Sequence, residues 1–342
     1  MEYSYLCPDF FLRSVCMKKL FLLILCLMYI GLLFAQAQIL INKYGWHLNK
    51  MADGHYVIRD SARIAGLCNM EDFPVSHIPY QPNLLSKDSI SNDQCSTSSW
   101  IYTTSNGHEL RLEVDLPKGD GPFPFVLYIH GGGWGAGDLN VFRPHSRFLA
   151  SHRIAGVRIS YSLIKQGGTF DLVEEEIDKA IQFVKANSQV LQLDTTKWGV
   201  AGGSAGAQLG SIAALRHEDC RFFIGFYGTY DLRHRHSGDF PSDSLCKTYL
   251  GGNDDPMLRK ASAVNYLDRS TQLPHVLLVH GTADLTISVG QSKNFADQIR
   301  KRGGNVEEVY YEGYGHSFTN PLYADRYDTV IHLMLAYVSR QL

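Results

Sequence analysis

Short apolar runs alternate with amphipathic segments from Phe125 to the C-terminus. Four of these runs, FPFVLYIH, KWGVAGG, FFIGFYG and HVLLVHG, are apolar almost throughout, which is typical of parallel strands buried on both faces. Between them, FDLVEEEIDKAIQFVKANS places Ile177, Ala180 and Ile181 on one helical face. Helical patterns return in SVGQSKNFADQIRKRGG and YDTVIHLMLAYVSRQL, on either side of a last strand, VEEVYYEG. This alternation predicts an α/β domain over 99–342, with a mostly parallel twisted sheet that helices cover on both faces.

An antiparallel pair of strands precedes the alternating region. The segments WIYTT and HELRLEVDLP flank a turn that contains Asn106 and Gly107. The second segment alternates apolar and polar residues, as a half-buried strand does, and Asn-Gly is a preferred pair in two-residue hairpin turns. The sequence therefore predicts a β-hairpin at the start of the domain.

The N-terminal region reads as a leader, 1–37. From Met17 the sequence MKKLFLLILCLMYIGLLFAQAQ places two lysines before an apolar run and ends on small residues around Ala37. This is the pattern of a secretory signal peptide, and it predicts a secreted or periplasmic protein without a stable membrane anchor after cleavage. An uncleaved anchor is the alternative. The sixteen residues before Met17 fit no part of a signal, so we expect translation to begin at Met17.

The segment 38–98 shows no sustained helical or strand periodicity. It contains scattered Pro, Asn, Asp and Ser residues, and the cluster SKDSISNDQCSTSS at its end has the composition of a loop. We interpret it as an irregular N-terminal extension that wraps the domain.

Charge and cysteine content exclude several classes of function. The 342 residues carry a formal net charge of −2, which gives no electrostatic reason to expect a nucleic-acid partner. Downstream of the leader lie Cys68, Cys95, Cys220 and Cys246. They could be buried thiols or could form one or two disulfides, and neither Cys-x-x-Cys nor a Cys/His ligand spacing is present. We therefore expect no metal and no organic cofactor.

Four predicted strands end in residue types that commonly take part in catalysis. The strand ends carry HGGGW, GGSAG, HGTADLT and GYGHSF, in that order along the chain. Because ligands bind at the carboxyl ends of the strands in open α/β sheets, these four segments are expected to meet at one site.

Ser204 is the candidate nucleophile of this site. A serine that projects above a sheet needs a very tight strand-to-helix turn, in which only glycine fits two positions before and after it. Gly202 and Gly206 occupy these positions.

His316 is the candidate base, because a serine hydroxyl needs an adjacent base to become nucleophilic and His316 lies in a glycine-flanked loop after the last strand. Asp284 is the candidate acid that would orient it, since the order Ser, Asp, His suits this type of site. His130 and His280 also follow strands, but we expect them to pack and orient their loops. Three further aspartates compete with Asp284 and are expected to be solvated: Asp231, Asp254 and Asp255.

The three glycines of HGGGW indicate an oxyanion hole. Glycine loses more backbone entropy on ordering than other residues, so consecutive glycines suit a loop whose amides must approach a negative charge closely. The N–H groups of Gly132, Gly133 and Ala205 are the candidates.

Taken together, these segments resemble the α/β-hydrolase fold, and in particular the esterase/lipase branch with an HGGGW oxyanion motif. The resemblance is strongest to bifunctional acetyl-xylan and feruloyl esterase-like (BD-FAE-like) proteins. It rests on YIHGGGWGAGD, GVAGGSAGAQLG, YGTYDL, LGGNDDPMLRKASAVNYL, LLVHGTADLTISV and GYGHSF. It implies a serine esterase that works through an acyl-enzyme and needs no cofactor. Thr282 stands where such enzymes often have Asp, and 38–98 has no counterpart.

A small polar cap is predicted over Thr229–Leu267, between two strands. Its basic run, Arg233–His236, is either a solvated surface or a contact for a sugar or uronic acid. We expect Trp134, Tyr227 and Tyr230 to contact the substrate, which would be a small ester or an acylated saccharide.

Two other functions remain open at this stage. A serine exopeptidase of the prolyl oligopeptidase type shares the triad, but it carries a large β-propeller for which 38–98 is too short. A catalytically inactive hydrolase fold that acts as a binding module would have lost at least one triad member.

Overall fold

The computed structural model describes residues 94–235, 240–319 and 324–342, together with the backbone of three short strands nearer the N-terminus. The predicted signal peptide, Cys68 and His236 lie outside the described residues. Among the helices that the structure does describe, none is long and apolar enough to cross a membrane.

The three short strands correct the prediction for 38–98. Strands β1 (Ile39–Ile41), β2 (His47–Lys50) and β3 (Tyr56–Arg59) form an antiparallel sheet in the order β1-β2-β3. The prediction of an irregular segment was wrong here because strands of three or four residues are too short to establish a period. The predicted loop before the domain was also too long, since β4 begins at Cys95.

The main sheet has the mostly parallel arrangement that the apolar runs predict. Its order is β11-β10-β9-β8-β6-β7-β5-β4. The pairs β4–β5 and β5–β7 are antiparallel, and the remaining pairs are parallel. The strands are β4 (Cys95–Ser105), β5 (His108–Pro117), β6 (Phe123–Ile129), β7 (Ala155–Ile159), β8 (Leu193–Gly203), β9 (Phe222–Phe226), β10 (His275–Gly281) and β11 (Val306–Tyr311).

The predicted hairpin joins β4 to β5. Ser105 pairs with His108, and the two residues between them, Asn106 and Gly107, both have positive φ angles, at 47° and 77°. Two positive φ angles define the tight hairpin turn for which Asn-Gly is preferred, so the local sequence determines this turn.

Helices cover both faces of the sheet. They are α1 (Arg143–Ser151), α2 (Phe170–Ala186), α3 (Ser188–Leu191), α4 (Ala205–Arg216), α5 (Asp243–Leu250), α6 (Asp255–Lys260), α7 (Gly290–Lys301) and α8 (Ala324–Gln341). The three helices predicted from the pattern correspond to α2, α7 and α8. Helix α1 escapes the pattern because its buried residues include His145, Ser146 and Arg147.

Strand β6 shows how the core divides into two layers. Phe125, Leu127 and Ile129 belong to the core layer that includes residues of α2, α4 and α7, whereas Val126 and Tyr128 belong to the layer that includes residues of α1 and α8. Successive side chains of a strand point to opposite faces, so a strand between two helical layers must be apolar at every position.

The three described cysteines downstream of the leader are buried and unpaired. Cys95, Cys220 and Cys246 all carry free thiols. Burial raises the pKa of the Cys220 thiol to about 12. Of the two alternatives for the cysteines, buried thiols therefore apply to these three.

A buried ion pair ties the antiparallel edge of the sheet together. Arg158 on β7 donates from Nε to Oδ2 of Asp115 on β5 at 2.8 Å, and both side chains are almost fully buried. Asp115 also accepts hydrogen bonds from Thr97 on β4 and from Ser146 on α1. Four elements thus meet at one carboxylate.

We expect Asp115→Ala to lower the free energy of unfolding by about 3 kcal/mol, because it removes the fully buried partner of Arg158 and leaves the guanidinium with only the half-buried Glu113 as a paired carboxylate. Urea unfolding monitored by circular dichroism measures the change. Glu175→Ala is the control, since Glu175 pairs with Lys179 at the surface of α2, and exposed pairs contribute at most about 1 kcal/mol. Equal losses of unfolding free energy in the two variants would contradict the stabilising role of the buried ion pair.

Candidate active site

The candidate triad residues follow strands whose carboxyl ends lie at the same edge of the sheet. Ser204 follows β8, Asp284 lies just beyond β10, and His316 lies in the loop after β11. The glycine loop follows β6, which pairs with β8. The structure therefore brings the four predicted strand ends together.

Ser204 lies on the tight turn that its flanking glycines predict. Its backbone has φ 55° and ψ −121°, between the end of β8 and the first residue of α4. A Cβ on Gly202 would lie 2.2 Å from the carbonyl oxygen of Gly206, and a Cβ on Gly206 would lie 2.1 Å from that of Ile129. Neither position can hold a larger residue without a shift of the backbone.

The three predicted triad residues are in hydrogen-bond contact. His316 Nε2 is 2.9 Å from Ser204 Oγ, and His316 Nδ1 is 2.7 Å from Asp284 Oδ2. The other oxygen, Asp284 Oδ1, accepts the backbone N–H groups of Thr286 at 2.8 Å and Ile287 at 2.9 Å. With Nδ1–H donating to the carboxylate, Nε2 is free to accept the hydroxyl proton of Ser204.

His280 contacts the same carboxylate, which the sequence does not predict. Its Nε2 lies 3.2 Å from Asp284 Oδ2 and 3.0 Å from the carbonyl oxygen of Ile287, while Nδ1 lies 2.8 Å from Ser292 Oγ. The expected role in orienting a loop holds, and the imidazole also supports the acid. Burial alone would raise the pKa of Asp284, but the hydrogen bonds from His280 and His316 hold it well below its usual range.

His130 orients the glycine loop, as expected. Its ring is buried and stacks on Tyr161 with centroids 4.3 Å apart, and Nδ1 lies 2.8 Å from the carbonyl oxygen of Gly131. Burial lowers the pKa of His130, so the imidazole remains neutral and donates to that carbonyl from Nδ1.

The predicted oxyanion amides lie at the same end of the site. Gly132 and Gly133 have φ angles of 117° and 60° and line the cavity beside Ser204. The Gly132 carbonyl accepts the N–H of Ala136 at 3.0 Å, which closes the loop into a turn. In the described part of the chain, neither glycine amide donates to a backbone carbonyl, and Ala205 is the first residue of α4, where amides have no partner within the helix.

A cavity of about 770 Å³ opens above the triad. Ser204, His316 and the glycine loop form its floor, and Phe142, Tyr227 and Phe240 contribute apolar surface. The cavity therefore combines a polar reacting end with apolar walls.

Of the three aromatic residues expected to contact the substrate, Tyr227 alone lines this cavity. Trp134 is fully buried, stacks on Tyr249 of the cap at 4.3 Å and donates to Gln208 Oε1. Tyr230 is also fully buried and stacks on Phe295 at 4.5 Å. The prediction was wrong for Trp134 and Tyr230 because both rings pack inside the protein, Trp134 against the cap and Tyr230 against α7.

The cap also differs from its prediction. Helices α5 and α6 lie within Thr229–Leu267, and Asp231, which was expected to be solvated, is buried and accepts from Arg233 and His234. Arg235 is held by carbonyl oxygens and Asp243. The two arginines of the basic run are therefore partly buried in the cap, whereas the His234 side chain is exposed. The other two competing aspartates do lie at the surface: Asp254 caps α6 and Asp255 pairs with Arg259.

We expect Gly206→Ala to lower the free energy of unfolding by about 2 kcal/mol or more, because the added Cβ meets a backbone oxygen that side-chain motion cannot relieve. Thermal unfolding of the purified variant measures this. Gly210→Ala in the same helix is the control, since its Cβ would meet only side-chain atoms, 3.1 Å away at the nearest. A Gly206→Ala variant as stable as the Gly210→Ala variant would show that the turn tolerates a side chain.

The depressed pKa of Asp284 predicts a pH-dependent contribution to stability. The charged carboxylate stabilises the fold above the unfolded-state pKa of about 4, and this contribution is lost as pH falls toward the lower folded-state pKa. We therefore expect the difference in unfolding free energy between the wild type and Asp284→Asn to decrease as the pH falls from about 4 to about 2. Urea unfolding at these pH values measures this difference. A difference that stays constant down to pH 2 would show that the pKa of Asp284 is not depressed in the folded protein.

The chain is similar to known esterases. The BD-FAE family matches residues 112–299, more than half of the chain. Isoprenylcysteine alpha-carbonyl methylesterase ICME of Arabidopsis thaliana is 26% identical over 238 residues, covering 60% of this chain and 53% of the relative. A probable enzyme of the same name from Oryza sativa subsp. japonica is 25% identical over 228 residues, covering 60% and 55%. The chain thus spans about half the length of these curated relatives.

Solved structures share the fold. Thermogutta terrifontis esterase 2, in a form phosphonylated by sarin, superposes with a TM-score of 0.62 at 20% identity, covering 72% of this chain and 96% of that one. A truncated carbohydrate esterase from gut microbiota gives 0.62 at 18% identity, covering 73% and 98%. From the extent of the family match and the shared fold, the chain belongs to the BD-FAE family of α/β-hydrolase esterases.

Proposed function

We propose that this esterase works through an acyl-enzyme on Ser204 and removes acetyl or feruloyl-type groups from carbohydrate. The observation that carries the proposal is the continuous hydrogen-bonded chain from Ser204 Oγ through His316 to Asp284, with distances of 2.9 and 2.7 Å. A nucleophile, its base and an orienting acid in this order are what acyl transfer requires.

The reaction has two halves. Ser204 Oγ attacks the ester carbonyl carbon while His316 Nε2 takes the hydroxyl proton, and the N–H groups of Gly132, Gly133 and Ala205 stabilise the negative oxygen. His316 then gives the proton to the departing alcohol, which leaves an acyl group on Ser204. In the second half, His316 takes a proton from water, the resulting hydroxide attacks the acyl carbonyl, and the carboxylic acid leaves as Ser204 regains its proton. No step requires a metal or an organic cofactor.

Asp284 acts by orientation and charge. It accepts the Nδ1–H of His316 and so fixes the tautomer in which Nε2 can accept a proton. The carboxylate also stabilises the imidazolium that forms in each half-reaction. Its depressed pKa means that the carboxylate stays charged at neutral pH.

The cavity supports an acyl group larger than acetyl as well as acetyl itself. Its volume of about 770 Å³ lies in the range of drug-sized ligand pockets, and Phe142 and Phe240 could stack on an aromatic ring. The carbohydrate esterase among the structural neighbours supports a saccharide as the alcohol half. The names of the plant relatives support methyl esters of prenylated cysteine as a second candidate substrate class.

We further propose that the mature protein begins near Gln38, after removal of the segment from Met17 as a signal peptide, and acts outside the cytoplasm. Mass spectrometry of the protein recovered from the culture medium or periplasm would give the new N-terminus. A chain that keeps 17–37 in the membrane fraction would contradict cleavage.

Substrate choice is tested with acetylated xylan, methyl ferulate, a prenylcysteine methyl ester and 4-nitrophenyl acetate. We expect release of acetate from xylan or of ferulate, because the site combines the triad with apolar walls. Hydrolysis of 4-nitrophenyl acetate without either product would overturn the carbohydrate proposal and leave the esterase in place. Preferential cleavage of the cysteine methyl ester would favour the second candidate.

The acyl-enzyme is tested by labelling with a fluorophosphonate. We expect one label per chain on Ser204, complete loss of labelling in Ser204→Ala, and a drop in turnover of at least about 10⁴-fold. Ser211→Ala is the control, because Ser211 is a buried serine of the same helix whose hydroxyl donates to the carbonyl of Gln208. A wild-type protein that takes no label would support the alternative of an inactive binding module.

A further inference from the structure

Tyr227 follows the strand that lies between the strand of the nucleophile and the strand of the acid in the sheet. Strands β8, β9, β10 and β11 are neighbours in the sheet in that order. The candidate triad follows β8, β10 and β11, and Tyr227 directly follows β9. Its backbone N–H donates to the carbonyl of Val279 at 2.8 Å, while the N–H of Ser204 donates to Phe226 at 2.9 Å. The three strand ends are thus joined across Tyr227.

The backbone of Tyr227 is strained. Its φ angle is 41°, in the left-handed region that a bulky side chain adopts at a cost. A glycine would adopt this angle without a clash with a Cβ. Such strain persists when the surrounding structure enforces it, and it concentrates at functional sites. Tyrosine at this position therefore indicates that its side chain is needed.

The side chain reaches from β9 to the loop that carries the base. The hydroxyl of Tyr227 lies 2.7 Å from Oγ1 of Thr319, three residues after His316, and both side chains are buried. The phenol ring lies against the His316 imidazole, with centroids 4.8 Å apart and the planes 62° from each other. Burial raises the pKa of Tyr227 to about 12, although the bond with Thr319 opposes this, so the hydroxyl keeps its proton at neutral pH.

The loop needs such support because it has little regular structure. No helix or strand includes residues 312–319. On the N-terminal side of His316, the carbonyl of Tyr314 accepts the N–H of Ala283 at 2.9 Å. On the C-terminal side, Ser317 has a φ angle of 62°, and the bond between Tyr227 and Thr319 ties the loop to the sheet.

We propose that Tyr227 is a positioning residue, which holds the His316 imidazole between Ser204 and Asp284 through its bond to Thr319 and its ring contact. This rests on the proposed role of His316 as the base. It differs from the expectation that Tyr227 recognises the substrate: the Tyr227 ring lines the cavity, but its hydroxyl is bonded to the protein. The phenol limits the directions in which the imidazole can turn, so that proton transfer begins from an aligned contact.

The test compares Tyr227→Phe, Thr319→Val and the double variant. Each single change removes the hydroxyl bond and keeps the side-chain shape. We expect kcat for 4-nitrophenyl acetate to fall about tenfold in each, with KM within about twofold of the wild type. Because one bond is removed in every case, the double variant should be no slower than the slower single variant. Tyr128→Phe is the matched control: its buried hydroxyl has no partner in the described part of the chain, and kcat should not change.

Three outcomes would overturn the proposal. An unchanged kcat in Tyr227→Phe would show that the hydroxyl positions nothing. A raised KM with a normal kcat would show that Tyr227 contacts the substrate instead. A fold-decrease in kcat of the double variant equal to the product of the two single decreases would show that Tyr227 and Thr319 act independently.

A measurement without turnover separates this proposal from the proposed function. We expect the proton between His316 Nδ1 and Asp284 to give a downfield NMR resonance. Its loss in His316→Ala assigns it, because Asp284→Ala would also remove the contact with His280. We expect Tyr227→Phe and Thr319→Val to broaden or shift it, and Tyr128→Phe to leave it in place. An unaffected resonance would refute the positioning role, whereas a wild type with no hydrolysis and no label would refute the proposed function alone.

Discussion

The close approach of α4 to the end of β6 is the constraint on which the rest of the site depends. Gly206 in the first turn of this helix has no room for a Cβ beside the Ile129 carbonyl. This contact places Ser204 above the sheet and brings the amide of Ala205 to the same side as the glycine loop that follows β6. A nucleophile and its oxyanion donors come from distant parts of the sequence, and one backbone contact sets the distance between them.

The charges of the site are arranged around a single carboxylate. Asp284 is buried, yet two imidazoles and two backbone amides surround it. Its low pKa follows from these contacts, which compensate for desolvation. The two imidazoles differ in their other partners: His280 meets Ser292 Oγ and the Ile287 carbonyl, whereas His316 Nε2 faces the candidate nucleophile Ser204. One imidazole therefore remains a fixed support, and the other is free to exchange a proton with Ser204.

The sequence predicts the parts of this protein that depend on local geometry. A few neighbouring residues are enough to predict the hairpin at Asn106-Gly107, the turn around Ser204 and the apolar runs of the sheet. The positions of Asp284 and His316 just after strands are enough to predict that both lie at the site. The direction of a loop side chain depends on tertiary packing, so the burial of Trp134 and Tyr230 could not be predicted. The contact of His280 with Asp284 depends on how the loop after β10 closes, and the short strands near the N-terminus carry too few residues to establish a pattern.

The buried thiols determine how this fold responds to oxidants. Cys95, Cys220 and Cys246 are unpaired, so the packing around them must be stable without any covalent link between them. Oxidants act on the thiolate of an accessible cysteine, and burial both covers these sulfur atoms and keeps the proton on Cys220. The packing of the described domain therefore does not depend on a disulfide among these three cysteines, and their thiols are sheltered from the oxidants that an oxidising compartment would supply.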